Sequence, residues 1–196
     1  MKYILKALLP LFAFLFSPLA FSSSCPDSGT IIDYFLSLPL DRLQIVDDET
    51  GLIKDVQALE KALATVDLKN GYLELQNKTI LSKVTAALFK NKNGSKTVAV
   101  VFDGVSVQNV YAFRCEKGQW MEITKIFYPI LSIERITRLY HEKNIKISGK
   151  APSAKDLSDV AHTLVRFRLP KQGTTIEAFA SHPDLDSKNL LFGFKP

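Results

Sequence analysis

The sequence predicts an α+β domain, an antiparallel β-meander with short helices packed on one face. Three observations lead there. Apolar and β-branched runs of strand length are separated by turn residues, most plainly Asn93-Gly94 and Glu116-Lys117-Gly118. Val98-Ala99-Val100-Val101-Phe102 is uninterrupted apolar sequence, as a central strand covered on both faces would be. Ile133, Ile136, Leu139 and Tyr140 recur at steps that place them on one helical face. Strands in runs, broken by short helical groups, argue against a parallel βαβ fold.

Taken in order, Ile31 to Leu36 is expected to form a short helix after the turn signal at Ser28-Gly29. Val56, Leu59, Leu63 and Val66 recur at steps of three and four, which predicts a helix from about Lys54, ended by Asn70-Gly71. Tyr72 to Gln76 is then the first strand. Val84 to Lys90 and Thr97 to Phe102 flank Asn93-Gly94 as a hairpin. Val110 to Cys115 and Trp120 to Phe127 form a second, rich in the β-branched and aromatic residues a sheet prefers. The meander is expected to have four or five strands.

A helix follows from Ser132, and Ile145 to Ala151 reads as a linker or exposed loop. Ser153-Ala154-Lys155-Asp156 has capping-box spacing and predicts a short helix through Val160. Thr163 to Leu169 and Thr174 to Ala180 make a third hairpin around Pro170-Lys171-Gln172-Gly173, and Leu190 to Phe194 is a closing strand. Helices-then-strands therefore occurs twice, in 31–128 and 132–194, as two similar halves would produce. No residue-level repeat accompanies it, so residues 23–196 are read as a single domain, with 129–152 as the place where it would divide.

Residues 1–22 are read apart from that domain. Lys2 and Lys6 precede an uncharged stretch from Ala7 to Phe21, and Ala20-Phe21-Ser22 offers small residues for cleavage after Ser22. That is the layout of a signal peptide, with Pro18 breaking the apolar segment before the cut. A membrane anchor needs roughly 20 apolar residues, and this run is shorter and interrupted by Pro10 and Pro18. A lipoprotein would need a large aliphatic residue before Cys25, where Ser22-Ser23-Ser24 stands instead. The expectation is export to a periplasm or extracellular space, with no transmembrane segment after cleavage.

The composition, 46% hydrophobic and 23% charged, is that of a globular protein. The formal charge of +5 falls further when Lys2 and Lys6 leave with the leader. Cations are scattered, Lys90, Lys92 and Lys96 around a turn and Arg135, Arg138, Lys143 and Lys146 near a helix. A nucleic-acid groove would cluster them among exposed aromatics, so no nucleic acid is expected as partner. The two cysteines, Cys25 and Cys115, are expected to form one structural disulfide in an oxidising compartment.

No catalytic motif emerges. His141, His162 and His182 form no metal-binding pair. Asp184, Asp186 and Asn189 lack the glycine and glutamate of an EF-hand loop and read as an ordinary turn. No Gly-x-Ser-x-Gly elbow and no Gly-rich phosphate loop is present. No metal or other cofactor is therefore expected. Asp103, Glu122 and Glu177 are the first candidates for paired carboxylates. Tyr72, Tyr111, Phe113, Trp120, Phe127 and Tyr128 would supply a recognition surface if one sheet face were open.

These observations favour an exported, non-enzymatic protein of the bacterial envelope or extracellular space that binds another macromolecule there, a protein or a glycan. The alternative is a small secreted hydrolase whose carboxylates are assembled by the fold.

Overall fold

The computed structural model describes residues 24–39, 46–47, 51–52, 63–77, 82–104, 108–129, 132–143, 165–180 and 190–196. The leader, the linker at 145–151, the capping box at 153–156, and the turn residues Asp184, Asp186 and Asn189 lie outside them, as do His162 and His182. Helix α1 spans Ile31–Leu36. Asp33 anchors its start by accepting from both the backbone N–H (2.7 Å) and the hydroxyl (2.8 Å) of Thr30. These bonds, the backbone one foremost, hold the Asp33 carboxyl below its usual 3.8.

Strands β1 (Val46–Asp47) and β2 (Gly51–Leu52) pair as a small antiparallel ribbon. The main sheet is a meander of β3 (Leu63–Asp67), β4 (Tyr72–Asn77), β5 (Ser82–Lys90), β6 (Lys96–Asp103), β7 (Gln108–Glu116) and β8 (Gln119–Glu122), each beside its sequence neighbour. It has six strands rather than four or five. The added strand is β3, which overturns the helix expected to run through Leu63 and Val66. Thr65, Val66 and Asp67 instead pair with Glu74, Leu73 and Tyr72. Asp67 closes the turn by accepting from the backbone N–H (3.0 Å) and side-chain amide (2.7 Å) of Asn70. Asn70-Gly71 is therefore a hairpin turn. Gly71 has φ 67°, and its missing side chain lets Leu88 approach to 3.0 Å from where a Cβ would stand.

The apolar run on β6 is central, as expected, and its residues alternate between two cores. Val98 and Val100 face a cluster with Leu73, Leu75, Val84, Phe113 and Trp120, covered by Ile31, Tyr34, Phe35 and Leu38 of the α1 segment. Ala99 and Val101 face the other way, into a cluster with Ala87, Phe89, Ala112, Ile123, Phe127, Tyr128, Leu169 and Ile176. A disulfide joins Cys25 to Cys115 across a sequence separation of 90 and fixes the start of the α1 segment to β7. An antiparallel bridge between Ser24 and Gln119, which includes a 3.0 Å bond from Cys25 N–H to Gly118 C=O, seats the same segment beside β8. No described helix is long and apolar enough to cross a membrane.

Strand β8 stops at Glu122 rather than running to Phe127, a second correction. The Ala112 N–H donates to the Thr124 hydroxyl at 3.1 Å, and that hydroxyl donates to Glu122 at 3.0 Å. A side chain thereby takes the position of the next strand residue, and the chain turns into α2 (Thr124–Phe127). Phe127 and Tyr128 are swung over the sheet as a result. Helix α3 (Ile133–Glu142) is capped by Ser132, whose hydroxyl accepts from Arg135 N–H at 3.3 Å. Its buried residues are Ile136 and Tyr140, on the expected face.

The last three expected strands are present as β9 (Val165–Arg168), β10 (Ile176–Ala180) and β11 (Leu190–Phe194). They form a separate antiparallel sheet in the order β11-β10-β9. That sheet lies over the second face of the meander through Leu169, Ile176, Phe167 and Phe194, while α3 packs on Ala180 and Leu191.

Candidate functional site

Among the described residues, both faces of the meander are covered, and its aromatics form no open face. Trp120 is 8% exposed, and its indole N–H donates to the Ser37 hydroxyl at 3.1 Å. Tyr72, Phe113, Phe127 and Tyr128 are buried as well, and Tyr111 is half-buried. The surface with the densest polar chemistry among the described residues is a rim where the edge of β9 meets the meander.

Gln108 is its centre. Its side-chain carbonyl accepts from Phe167 N–H at 2.6 Å, and its amide donates to Phe167 C=O at 3.1 Å. The same amide donates to the Asp103 carboxylate at 2.6 Å. Phe167 pairs with Ala178 of β10 on one side. Gln108 thus meets the backbone groups of Phe167 that would otherwise present a free strand edge.

On β9, Arg166 and Arg168 alternate with Phe167 and share a face with Glu177 and Phe179 of β10, their register partners. Arg166 reaches Asp103 at 3.5 Å. Arg168 lies over the Phe179 ring at 4.1 Å and stands 3.9 Å from Glu177. Lys171, in the turn after β9, sits 5.6 Å from the Tyr72 ring centre. The Tyr72 hydroxyl donates to Glu74 at 2.9 Å, and Glu74 also faces Lys83 at 3.7 Å. Burial, and then the bond to the Glu74 carboxylate, push the Tyr72 phenol far above its usual 10.0.

Two of the three candidate carboxylates, Asp103 and Glu177, therefore lie at this rim, each facing a different arginine of β9. Glu122 is elsewhere, at the corner where β8 turns into α2. His141 is exposed on α3. Among the described residues, no group of three or more His, Cys, Asp or Glu side chains could hold a metal ion. What the rim offers is a set of partly exposed charges, two of which, Arg168 and Lys171, lie over aromatic rings.

Sequence reasoning did not single out Gln108, Arg166 or Arg168. Val165-Arg166-Phe167-Arg168-Leu169 does alternate at strand period, a signal that two cations share one face. Gln108 carries no such signal, because its partner is 59 residues away. Compared with known proteins, the chain matches no family model, no curated protein and no solved structure.

Proposed function

We propose that this is an exported, non-catalytic protein that binds another macromolecule of the bacterial envelope or extracellular space, a protein or a glycan, through the rim at β9. The observation that carries this reading is Arg168. Its side chain is 61% exposed, its guanidinium lies over the Phe179 ring, and the Glu177 carboxylate stands at the loose distance of 3.9 Å. A planar cation already held in one orientation loses little freedom on binding and presents its outer N–H groups to a carboxylate, phosphate or hydroxyl of a partner. Exposed Lys171 and half-exposed Lys83 extend the same surface. The disulfide supports an oxidising compartment, in keeping with export.

The hydrolase alternative has less behind it. Asp103 and Glu177 are engaged with separate arginines, and Glu122 with a threonine, rather than facing each other across a cleft. The experiment is capture from envelope and extracellular extracts on the immobilised oxidised protein, beside a variant carrying Arg168→Glu and Lys171→Glu. A component retained by the natural protein and lost by the charge-reversed one supports the reading. Equal retention, or none, sinks it.

A further inference from the structure

The tripeptide Lys-Asn-Gly occurs twice, as Lys69-Asn70-Gly71 and Lys92-Asn93-Gly94, each in a hairpin turn. Asparagine is a heat-labile residue, most of all before glycine, where no side chain bars the next amide nitrogen from its carboxamide. The fold places the two copies in opposite surroundings. Asn70 is held by its nitrogen. Its side-chain amide donates to Asp67 Oδ2 at 2.7 Å, and its backbone N–H to Oδ1 at 3.0 Å. These bonds, the side-chain one foremost, hold the Asp67 carboxyl below its usual 3.8, so it is an anion at neutral pH. An anion at the carboxamide nitrogen opposes negative charge arising at the carbon beside it. Gly71 is buried, with Leu88 Cβ 3.0 Å from where its own Cβ would stand, and its C=O accepts from Leu88 N–H at 2.8 Å. That peptide is packed and bonded in place.

Asn93 is held by its oxygen instead. Its Oδ1 accepts from Ser95 N–H at 3.1 Å and from the Ser95 hydroxyl at 2.8 Å. The Ser95 oxygen in turn accepts from the Asn91 side-chain amide at 2.8 Å. Two donors on one carbonyl oxygen draw charge from its carbon and stabilise the oxyanion that attack on that carbon creates. Lys92, Asn93 and Gly94 are exposed, and nothing lies within 4 Å of where a Gly94 Cβ would stand. The turn carries Lys90, Lys92 and Lys96 and no acid, and Lys96 Nζ stands 3.5 Å from Gly94 C=O. Cations so placed favour loss of the Gly94 amide proton. One bond opposes it: Gly94 N–H donates to Asn91 C=O at 2.9 Å and must be released first. It lies in an exposed turn, where local opening costs least.

We propose that Asn93 is a site of spontaneous deamidation in the folded protein, and that Asn70, in the same tripeptide, is spared. Hydroxide takes the Gly94 amide proton, and the nitrogen attacks Asn93 Cγ to form the new N–Cγ bond of a succinimide. The Cγ–Nδ2 bond breaks, and Nδ2 leaves as ammonia with a proton from water. Water then opens the ring at either carbonyl. The product is aspartate or, where the chain now runs through Cγ, isoaspartate. The net change is amide plus water to acid plus ammonia, and it places a carboxylate among Lys90, Lys92 and Lys96. This site is distinct from the rim and does not depend on the macromolecular reading of it.

The test incubates the oxidised protein in mildly alkaline buffer, beside the reduced chain unfolded in guanidinium chloride. Peptide mapping by mass spectrometry follows conversion of amide to acid at each asparagine over time. In the folded protein Asn93 should be converted faster than Asn70 by roughly 10-fold or more, the equivalent of the charged hydrogen bond that Asn70 would have to give up. In guanidinium the two should react at similar rates. Equal rates at both sites in the folded protein overturn the proposal. So does an Asn93 that reacts in guanidinium and stays intact in the folded protein, since the Gly94–Asn91 bond would then be protecting it. A preference for Asn93 that persists undiminished in guanidinium also overturns it, because the flanking residues Ser95 and Tyr72 rather than the fold would set the difference.

Discussion

At Gln108 a single carboxamide takes the place of a neighbouring strand, accepting from the Phe167 N–H and donating to its C=O. Removing it leaves two partly buried backbone groups and the Asp103 carboxylate short of a partner. Gln108→Ala should therefore lower stability by about 1–3 kcal/mol, more than an ordinary surface change. Gln108→Asn, one methylene shorter, should lose nearly as much, because it cannot span both groups of Phe167. Urea unfolding midpoints test this, and unchanged midpoints in both variants would mean that Gln108 is not the clasp. Little of this was legible in the sequence. Asp103 could be picked out as a carboxylate beside a strand, but its arginine comes from β9, in the other sheet. Trp120 could be placed on a strand, whereas the partner of its indole N–H, Ser37, is 83 residues away.

Elements defined by their own turns were predictable. The β5–β6 hairpin turns at Asn91 to Ser95, with Gly94 at φ 83°. The β7–β8 hairpin turns through Lys117 and Gly118, both at positive φ. Elements decided by a neighbour were not. Leu63 and Val66 fit helical spacing, yet β4 offers an unpaired edge at that point and pairing with it prevails. Trp120 to Phe127 has strand composition throughout, yet the Thr124 hydroxyl ends the ladder at Glu122. Helix α1 has only six residues, too few to hold together alone, so its place depends on packing and on the disulfide. Closing a loop this long contributes roughly 4–5 kcal/mol in the chain-entropy view. Replacing Cys25 and Cys115 by serine should cost about 2–5 kcal/mol, with amides of 31–36 losing exchange protection first. Equal protection of α1 and β6 in that variant would show that packing alone holds the helix.

Across the whole molecule, the meander is sandwiched between the α1 segment and the second sheet, so its central strands contribute to both cores. Such shared strands couple the layers, and a single cooperative unfolding transition is expected. Trp120 fluorescence, which reports the α1 side, and exchange of β10 amides, which reports the other, should give the same unfolding free energy. Separate values would mean that the second sheet opens independently. Export and the pairing of two lone cysteines are expectations that reach this scale from composition and chain order alone. The Cys25–Cys115 bond is present.

The amino-acid order was enough to specify the meander, the positions of most strands, helix α1, the face of α3, and one disulfide. Those features rest on turn residues, local periodicity and residue type, all of which act within a few neighbours. Division of the strands into two sheets, burial of the aromatics and the Gln108 clasp were settled by folding. Each depends on side chains from distant segments meeting across an interface, where packing and hydrogen-bond satisfaction outweigh local preference.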